Sequence, residues 1–456
     1  MRKTISLLVL SLVLCLSSLG FASDFDFDDL FGDDLFMEIQ EEEGTFKPEE
    51  ILLVNEGLEL GGNYSLSVDA SRLYPDKGEA VNSLEARLGG QLYLDARPDP
   101  DFRLFSKARF NYAIPNGEQN HQFDVKLLEL FSDFNYENKV FFRAGKQRAE
   151  WGVGYFFSPA DVINLGRIDP ENPTADREGP IALKVHYPHK SNNYYLYTIF
   201  EGISKPEQIA IAPKMEYLLG KSELGAGLFY QKDKSTRGML TISSSFGNVG
   251  WFAEGVVGKD YNKDFLESVA PGVYRVVKKD DFFTQATIGA HYSYKDEDDL
   301  FNFSGAVQYY FNGVRDKEHR DSAKEIRLTQ ANNSIPLVYP FVEAILKEGP
   351  DATEEQIMEY ARKLSPFLME DGLHYLGATV MWNNMLGTKL SNSTFVLANL
   401  SDRSGMVTNT LSLPRFSKFS PSVGVSFFFG DEASEYGLLG RNTKIFAGVT
   451  IGSGSF

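Results

Sequence analysis

From Leu58 onward the chain alternates with a period of two. Leu58, Leu60, Gly62, Tyr64, Leu66, Val68 and Ala70 are apolar or small, with Glu59, Asn63, Ser65, Ser67 and Asp69 between them. Leu84 to Ala96 repeats the pattern, interleaved with Glu85, Arg87, Gln91, Tyr93 and Asp95. The same signature returns at Ala286–Tyr294, Phe303–Phe311, Val423–Phe429 and Ile445–Ile451. Period-two alternation marks a strand with one apolar and one polar face. These runs exceed the five or six residues usual in globular strands and match the roughly 9–11 of a tilted membrane-spanning strand.

The pattern predicts strands at 57–71, 83–97, 102–114, 123–136, 140–151, 181–188, 194–202, 209–219, 223–232, 237–246, 249–258, 282–294, 300–312, 374–384, 392–400, 405–413, 421–430 and 443–452. The fold class is therefore all-β: a closed antiparallel transmembrane β-barrel of about eighteen strands, sixteen if those between 385 and 420 merge. Connection lengths check the count. With the first strand outgoing, the short connections, such as Gly247-Asn248, fall on the periplasmic side. The three long ones, 152–180, 259–281 and 313–373, fall outside, as barrels of this type require. In 313–373, Thr353 and Gln356 fit a capping box, with Ile357, Ala361, Leu364 and Leu368 at helical spacing. This predicts a helix of about three turns, either folded over or into the mouth or serving as surface decoration.

Composition changes the picture mainly at the N-terminus. Arg2 and Lys3 precede an apolar run, Ile5 to Leu16, and Gly20 and Ala22 fit a cleavage site before Ser23. That reads as a signal peptide over 1–22, cleaved near Ala22. A lipoprotein reading with Cys15 acylated fits worse, because Leu14 stands where a small residue belongs. Cys15 is the one cysteine of the sequence, so cleavage would leave no thiol chemistry. Residues 23–56 form an acidic periplasmic leader: 24–50 carry twelve acids and one Lys, with Phe and Leu interspersed. It reads as a disordered or briefly helical segment, or as a plug or a docking peptide for a periplasmic partner. Asp29 stands where a calcium loop needs Gly. The barrel then occupies 57–456. The net charge of −18 argues against nucleic acid. The 36 Phe and 22 Tyr residues of the sequence are enough to supply aromatic girdles. Phe456 fits a terminal signal for barrel-assembly machinery, although the parity of Ile445–Ile451 opposes it.

If the apolar face meets outer-membrane lipid, the alternate positions line a lumen. Strands two to six then place Arg87, Arg97, Arg103, Lys107, Arg109, Lys126, Arg143 and Lys184 inward, among Glu85, Asp95, Glu129 and Asp133. Later strands supply mainly Ser, Thr, Gln, Asn and Tyr. Such a wall either sets ion preference or merely pairs charges across neighbouring strands.

The stretch Arg143-Ala-Gly-Lys-Gln147-Arg-Ala-Glu-Trp151-Gly152, then Pro159, Asp161 and Asn164, and later Asp169-Pro170 and Asp176-Arg177-Glu178-Gly179-Pro180, resembles outer-membrane porins of the alginate-export and related types. The resemblance covers about 140–188. It implies a monomeric or weakly associated barrel with this loop folded into the lumen. The candidate pore-lining and constriction residues are Arg87, Arg109, Arg143, Gln147, Trp151, Asp161, Arg177 and Glu178. The expected function is passive diffusion of small hydrophilic solutes across the outer membrane of a diderm bacterium. The alternative is a non-conducting barrel serving as an adhesin or docking protein. No enzyme activity, cofactor or metal is expected: His291 and Ser293 lie two apart on one strand, but their parity points to water rather than lipid.

Overall fold

The computed structural model describes residues 53–455, except 56, 76–78, 115–121, 150, 203–204, 262, 297–299, 315, 333, 349–352, 370 and 438–441. Residues 1–22, expected to be a signal peptide, nearly all of the expected leader over 23–56, and Phe456 lie outside the described residues.

Eighteen antiparallel strands form the wall. They are β1 (Leu58–Tyr74), β2 (Val81–Asp99), β3 (Phe102–Ile114), β4 (Gln122–Tyr136), β5 (Val140–Lys146) and β6 (Ile181–His189). There follow β7 (Asn192–Ile199), β8 (Ala210–Leu219), β9 (Ser222–Phe229), β10 (Thr236–Phe246), β11 (Val249–Lys259) and β12 (Phe282–Lys295). The last six are β13 (Asn302–Asn312), β14 (His374–Asn383), β15 (Ser391–Asn399), β16 (Ser404–Ser412), β17 (Phe419–Phe429) and β18 (Thr443–Ser455). Each pairs with its neighbour in sequence, and β18 pairs with β1, so the sheet closes without a free edge. A short strand, Leu53–Asn55, leans on the start of β1.

All eighteen expected strands are present. The largest difference in length is β5, which ends at Lys146 rather than 151. Gly145 adopts φ 133°, and a Cβ there would meet the Leu130 carbonyl, so only glycine fits at the bend. Beyond it the Gln147 N–H is taken by the Pro180 carbonyl, and the chain turns inward. At the seam, Ser65 pairs with Ser453 and Ser67 with Thr450, a bulge centred near Gly452.

The two faces of the wall differ as the alternation demands. Leu88, Leu228, Leu240, Val257, Val307 and Ile445 are exposed on the outer face. Aromatic residues crowd both rims: Tyr74, Phe123, Tyr230 and Phe282 at one, Tyr136, Phe246 and Tyr294 at the other. An apolar band between aromatic rings is stable in hydrocarbon and costly in water. Among the described residues no helix is long and apolar enough to cross a membrane; the crossing elements are strands.

On the rim of long connections, the described parts of 260–281 and 313–373 build a small body with its own core. It contains α1 (Lys317–Ala331), α2 (Glu343–Glu348) and α3 (Glu354–Leu368), with a three-stranded sheet of 265–270, 273–277 and 337–339. Leu266, Tyr274, Ile326, Val338, Tyr360 and Leu364 pack at its centre. The predicted helix is α3, with the Thr353–Gln356 capping box in place. The helix α1 and the hairpin were not expected. The buried face of α1 includes His319, Ser322, Arg327 and Gln330, so no apolar stripe announces it.

The buried His319 makes this cap a candidate for acid-induced loosening. His319 Nδ1 accepts the Leu266 N–H at 2.9 Å, and its ring stands edge-on to Phe265. Burial pushes its pKa from 6.5 down to about 3; Lys263, Arg327 and Lys279 push the same way, while Asp316 opposes. The unfolded segment therefore takes up a proton below about pH 6.5 that the folded cap refuses. Stability is full above that pH and declines as pH falls toward 3. Proteolysis of the cap should accelerate between pH 7.5 and 4.5, and His319→Gln should flatten that part of the profile. An unchanged profile in the variant would assign the acid response elsewhere.

Candidate constriction

The 147–180 connection does not stand away from the barrel; it folds inside it as two limbs. The first, 152–163, crosses to the opposite wall. There Glu254 of β11 accepts the N–H groups of Val153, Gly154 (2.6 Å) and Ala160 (3.0 Å) and the Ser158 hydroxyl (2.9 Å). Gln308 of β13 accepts three consecutive N–H groups, Tyr155 (3.1 Å), Phe156 (2.6 Å) and Phe157 (3.3 Å), and donates to the Phe157 carbonyl. Phe157 stacks on Tyr310 at 5.0 Å, and Phe156 lies against Gly377 of β14, where a Cβ would collide with its ring. Among the described residues none of Glu254's partners is a cation. A buried carboxylate without one costs several kcal/mol, and hydrogen bonds to a charged group return about 1.5–3 kcal/mol each. The docked loop supplies all four such bonds.

The second limb, 164–180, returns to the charged wall. Asp176 accepts from Lys107 Nζ at 3.0 Å and from Gln91. Glu178 takes Lys126 at 2.7 Å and also Lys146. The limbs are clamped at their base by the Arg177–Asp161 ion pair and by Asn164, which donates to the Ala149 carbonyl and accepts its N–H. Asp161 also feels Arg148, yet burial still raises its pKa.

The expected site residues fall into groups. Gln147 and Trp151, each 1% exposed, belong to the packed base of the loop: Gln147 donates to the Ala182 carbonyl, and Trp151 packs edge-on to Tyr197 and donates to Met239 sulfur. Arg143 forms a two-pronged pair with Asp133 (2.6 and 3.0 Å) and lies 4.0 Å over the Phe131 ring. Arg87 is paired with Glu85, and Arg103 with Asp95 at 2.9 Å. Much of the basic wall thus pairs within and between neighbouring strands, as one of the two readings required. Arg109 differs. It stands directly between Gln91 and Lys126 in register, and its buried Nε has no hydrogen-bond partner. Among the described residues no carboxylate pairs with it.

The two halves of the lumen are filled unequally. Inward side chains from β11 to β17 are packed: Glu254 at 4%, Thr287 at 3%, Gln308 at 1% and Thr408 at 2% exposure. On the charged wall Arg87, Glu85, Asp133 and Arg143 retain 27–29% of their side-chain surface, and Lys126 retains 42%. The partly exposed charges inside the barrel therefore cluster on β2, β4 and β5. Glu254 and Gln308 were not singled out from sequence. The available signal was charge: Glu254 is the one acidic residue in the eight strands from β10 to β17.

The geometry defines a closed barrel with an infolded loop. No protein-family model matches the chain, and no curated protein sequence does. Among solved structures the chain is similar to OccAB1 of Acinetobacter baumannii, at 12% identity and TM-score 0.47 over 87% of this chain and 97% of that one. It is similar to Pseudomonas aeruginosa OccK2 (OpdF), at 10% identity and TM-score 0.47 over 87% and 98%. The daunomycin complex of Salmonella typhi OmpF matches at 10% identity and TM-score 0.42 over 89% and 99%. Likenesses this distant carry no argument about activity; the barrel rests on its own strand pairing.

Proposed function

We propose that the chain is an outer-membrane porin, a channel for passive diffusion of small hydrophilic solutes, narrowed by the 147–180 loop. Residues 1–22 then direct export, 23–56 form a periplasmic leader, and the long connections face outward. Arg87, Arg109, Arg143, Arg177, Asp161 and Glu178 make up the electrostatic lining or its supports. The observation that carries this reading is the unequal filling of the lumen: one half is packed by the loop, while the other keeps charged side chains partly exposed along the inner wall. Fixed charges of both signs beside a narrow aqueous path sort solutes by charge and dipole.

The refolded chain should give stable single-channel current steps in a planar bilayer. A correctly folded barrel that never passes current would replace this reading by a non-conducting adhesin or docking barrel.

A further inference from the structure

We infer that Glu254 and Gln308 are the positioning residues of the constriction: by holding the 153–160 segment against the far wall they keep half of the lumen shut. The inference rests on the channel reading for its effect on current, but not for its effect on the loop.

Six main-chain N–H groups of this segment, those of Val153, Gly154, Tyr155, Phe156, Phe157 and Ala160, end on these two side chains. The segment has no ladder of its own here, so its docking depends on two side-chain acceptors and on the packing of Tyr155, Phe156 and Phe157. A main-chain N–H buried without an acceptor is strongly disfavoured. Removing either acceptor therefore favours release of the segment into water. A released segment leaves Glu254 hydrated and opens the packed half of the barrel. Gln308 is suited to the task because its amide accepts from three donors through the oxygen. Its nitrogen meanwhile donates to the Phe157 carbonyl and, at 2.5 Å, to Thr287 Oγ1, which fixes the amide's orientation.

The experiment compares the full chain with Glu254→Ala, Gln308→Ala and the double variant, each shown to be folded by its strand circular dichroism. Two readouts are taken: single-channel conductance, and the rate at which trypsin cuts the loop at Arg148, Arg167 or Arg177. Release of the segment should raise conductance about twofold, as the occluded half admits ions, and should speed cleavage. A repinning control separates positioning from general damage. A Cβ built on Gly377 lies 3.1 Å from that of Phe156, so the pair reaches the roughly 3.5–4.5 Å of a disulfide once the undocked segment moves a few tenths of an ångström outward. Adding Phe156→Cys and Gly377→Cys to the double variant should restore low conductance and slow cleavage when oxidised, and lose both on reduction. Unchanged conductance and cleavage in Glu254→Ala and Gln308→Ala would overturn the inference, as would a disulfide that restores neither. If the unmodified chain passes no current, the channel reading fails, and the cleavage rates still decide whether these residues hold the loop.

Discussion

Arg109→Gln is expected to move the reversal potential in a salt gradient toward cation preference, whereas removing the Arg87–Glu85 pair together should leave it nearly unchanged. The contrast follows from how the charges are matched. A guanidinium in contact with a carboxylate contributes a short-ranged dipole, while Arg109 has no carboxylate partner among the described residues and contributes a full charge. At 5 Å in bulk-like water a unit charge is worth about 0.8 kcal/mol, or roughly a fourfold change in local ion concentration. The measurement belongs at about 0.1 M salt or below, where screening is weak. Single neutralisation of Arg87 or Arg143 is a poorer probe, because it frees Glu85 or Asp133 to act as a new fixed anion. Selectivity that ignores Arg109→Gln would show that ions do not pass that wall.

The second large effect concerns the cap. Arg327 and Asp371 are 3% and 6% exposed and lie 2.6 Å apart; the same guanidinium reaches the Leu368 carbonyl (2.8 Å) and the Ala433 carbonyl (3.1 Å). One side chain thus ties α1 to the end of α3 and to the connection between β17 and β18. Arg327→Ala strands a buried carboxylate, and the expected cost is about 3–5 kcal/mol. The loss should be local: hydrogen exchange in 317–368 rises while the barrel ladder keeps its protection. Arg327→Met with Asp371→Leu should recover much of the stability, since replacing both members of a buried pair avoids the stranded charge. Barrel strands that lose protection alongside the cap would show that the two units are energetically one.

The barrel was legible because its constraint is repetitive. Each strand must put a side chain into hydrocarbon at every second position, so Leu84, Leu88 and Leu92 announce both a strand and its register. The helix α3 was legible for a similar reason, through Thr353, Gln356 and an apolar stripe. Structure held by irregular polar contacts left no such trace. The helix α1 buries Arg327 and Gln330 instead of leucines, and the hairpin on the other insertion is marked only by its Pro271-Gly272 turn. At the candidate constriction, Asp161 and Glu178 could be named from sequence because they lie in the loop itself. Glu254 and Gln308 lie about a hundred and a hundred and fifty residues away, and only the closed barrel brings them to it. The basic wall was visible as a list of inward residues. Which of them remain unmatched depends on partners such as Asp176, which strand parity alone does not supply.

The seam between β1 and β18 bears on how the molecule is made. Every other ladder of the wall joins strands consecutive in sequence, while this one joins positions as distant as Asn63 and Ser455. Closing a loop of that length costs about 3 kcal/mol more chain entropy than closing a ten-residue hairpin. Chain entropy therefore weighs more heavily against this ladder than against any hairpin of the wall. Without it the wall is an open sheet with two unpaired edges, each a template for any passing strand. Sealing the seam is therefore what removes both templates at once: an error in any hairpin leaves the edges where they were, whereas an unmade seam leaves the whole wall open to mispairing.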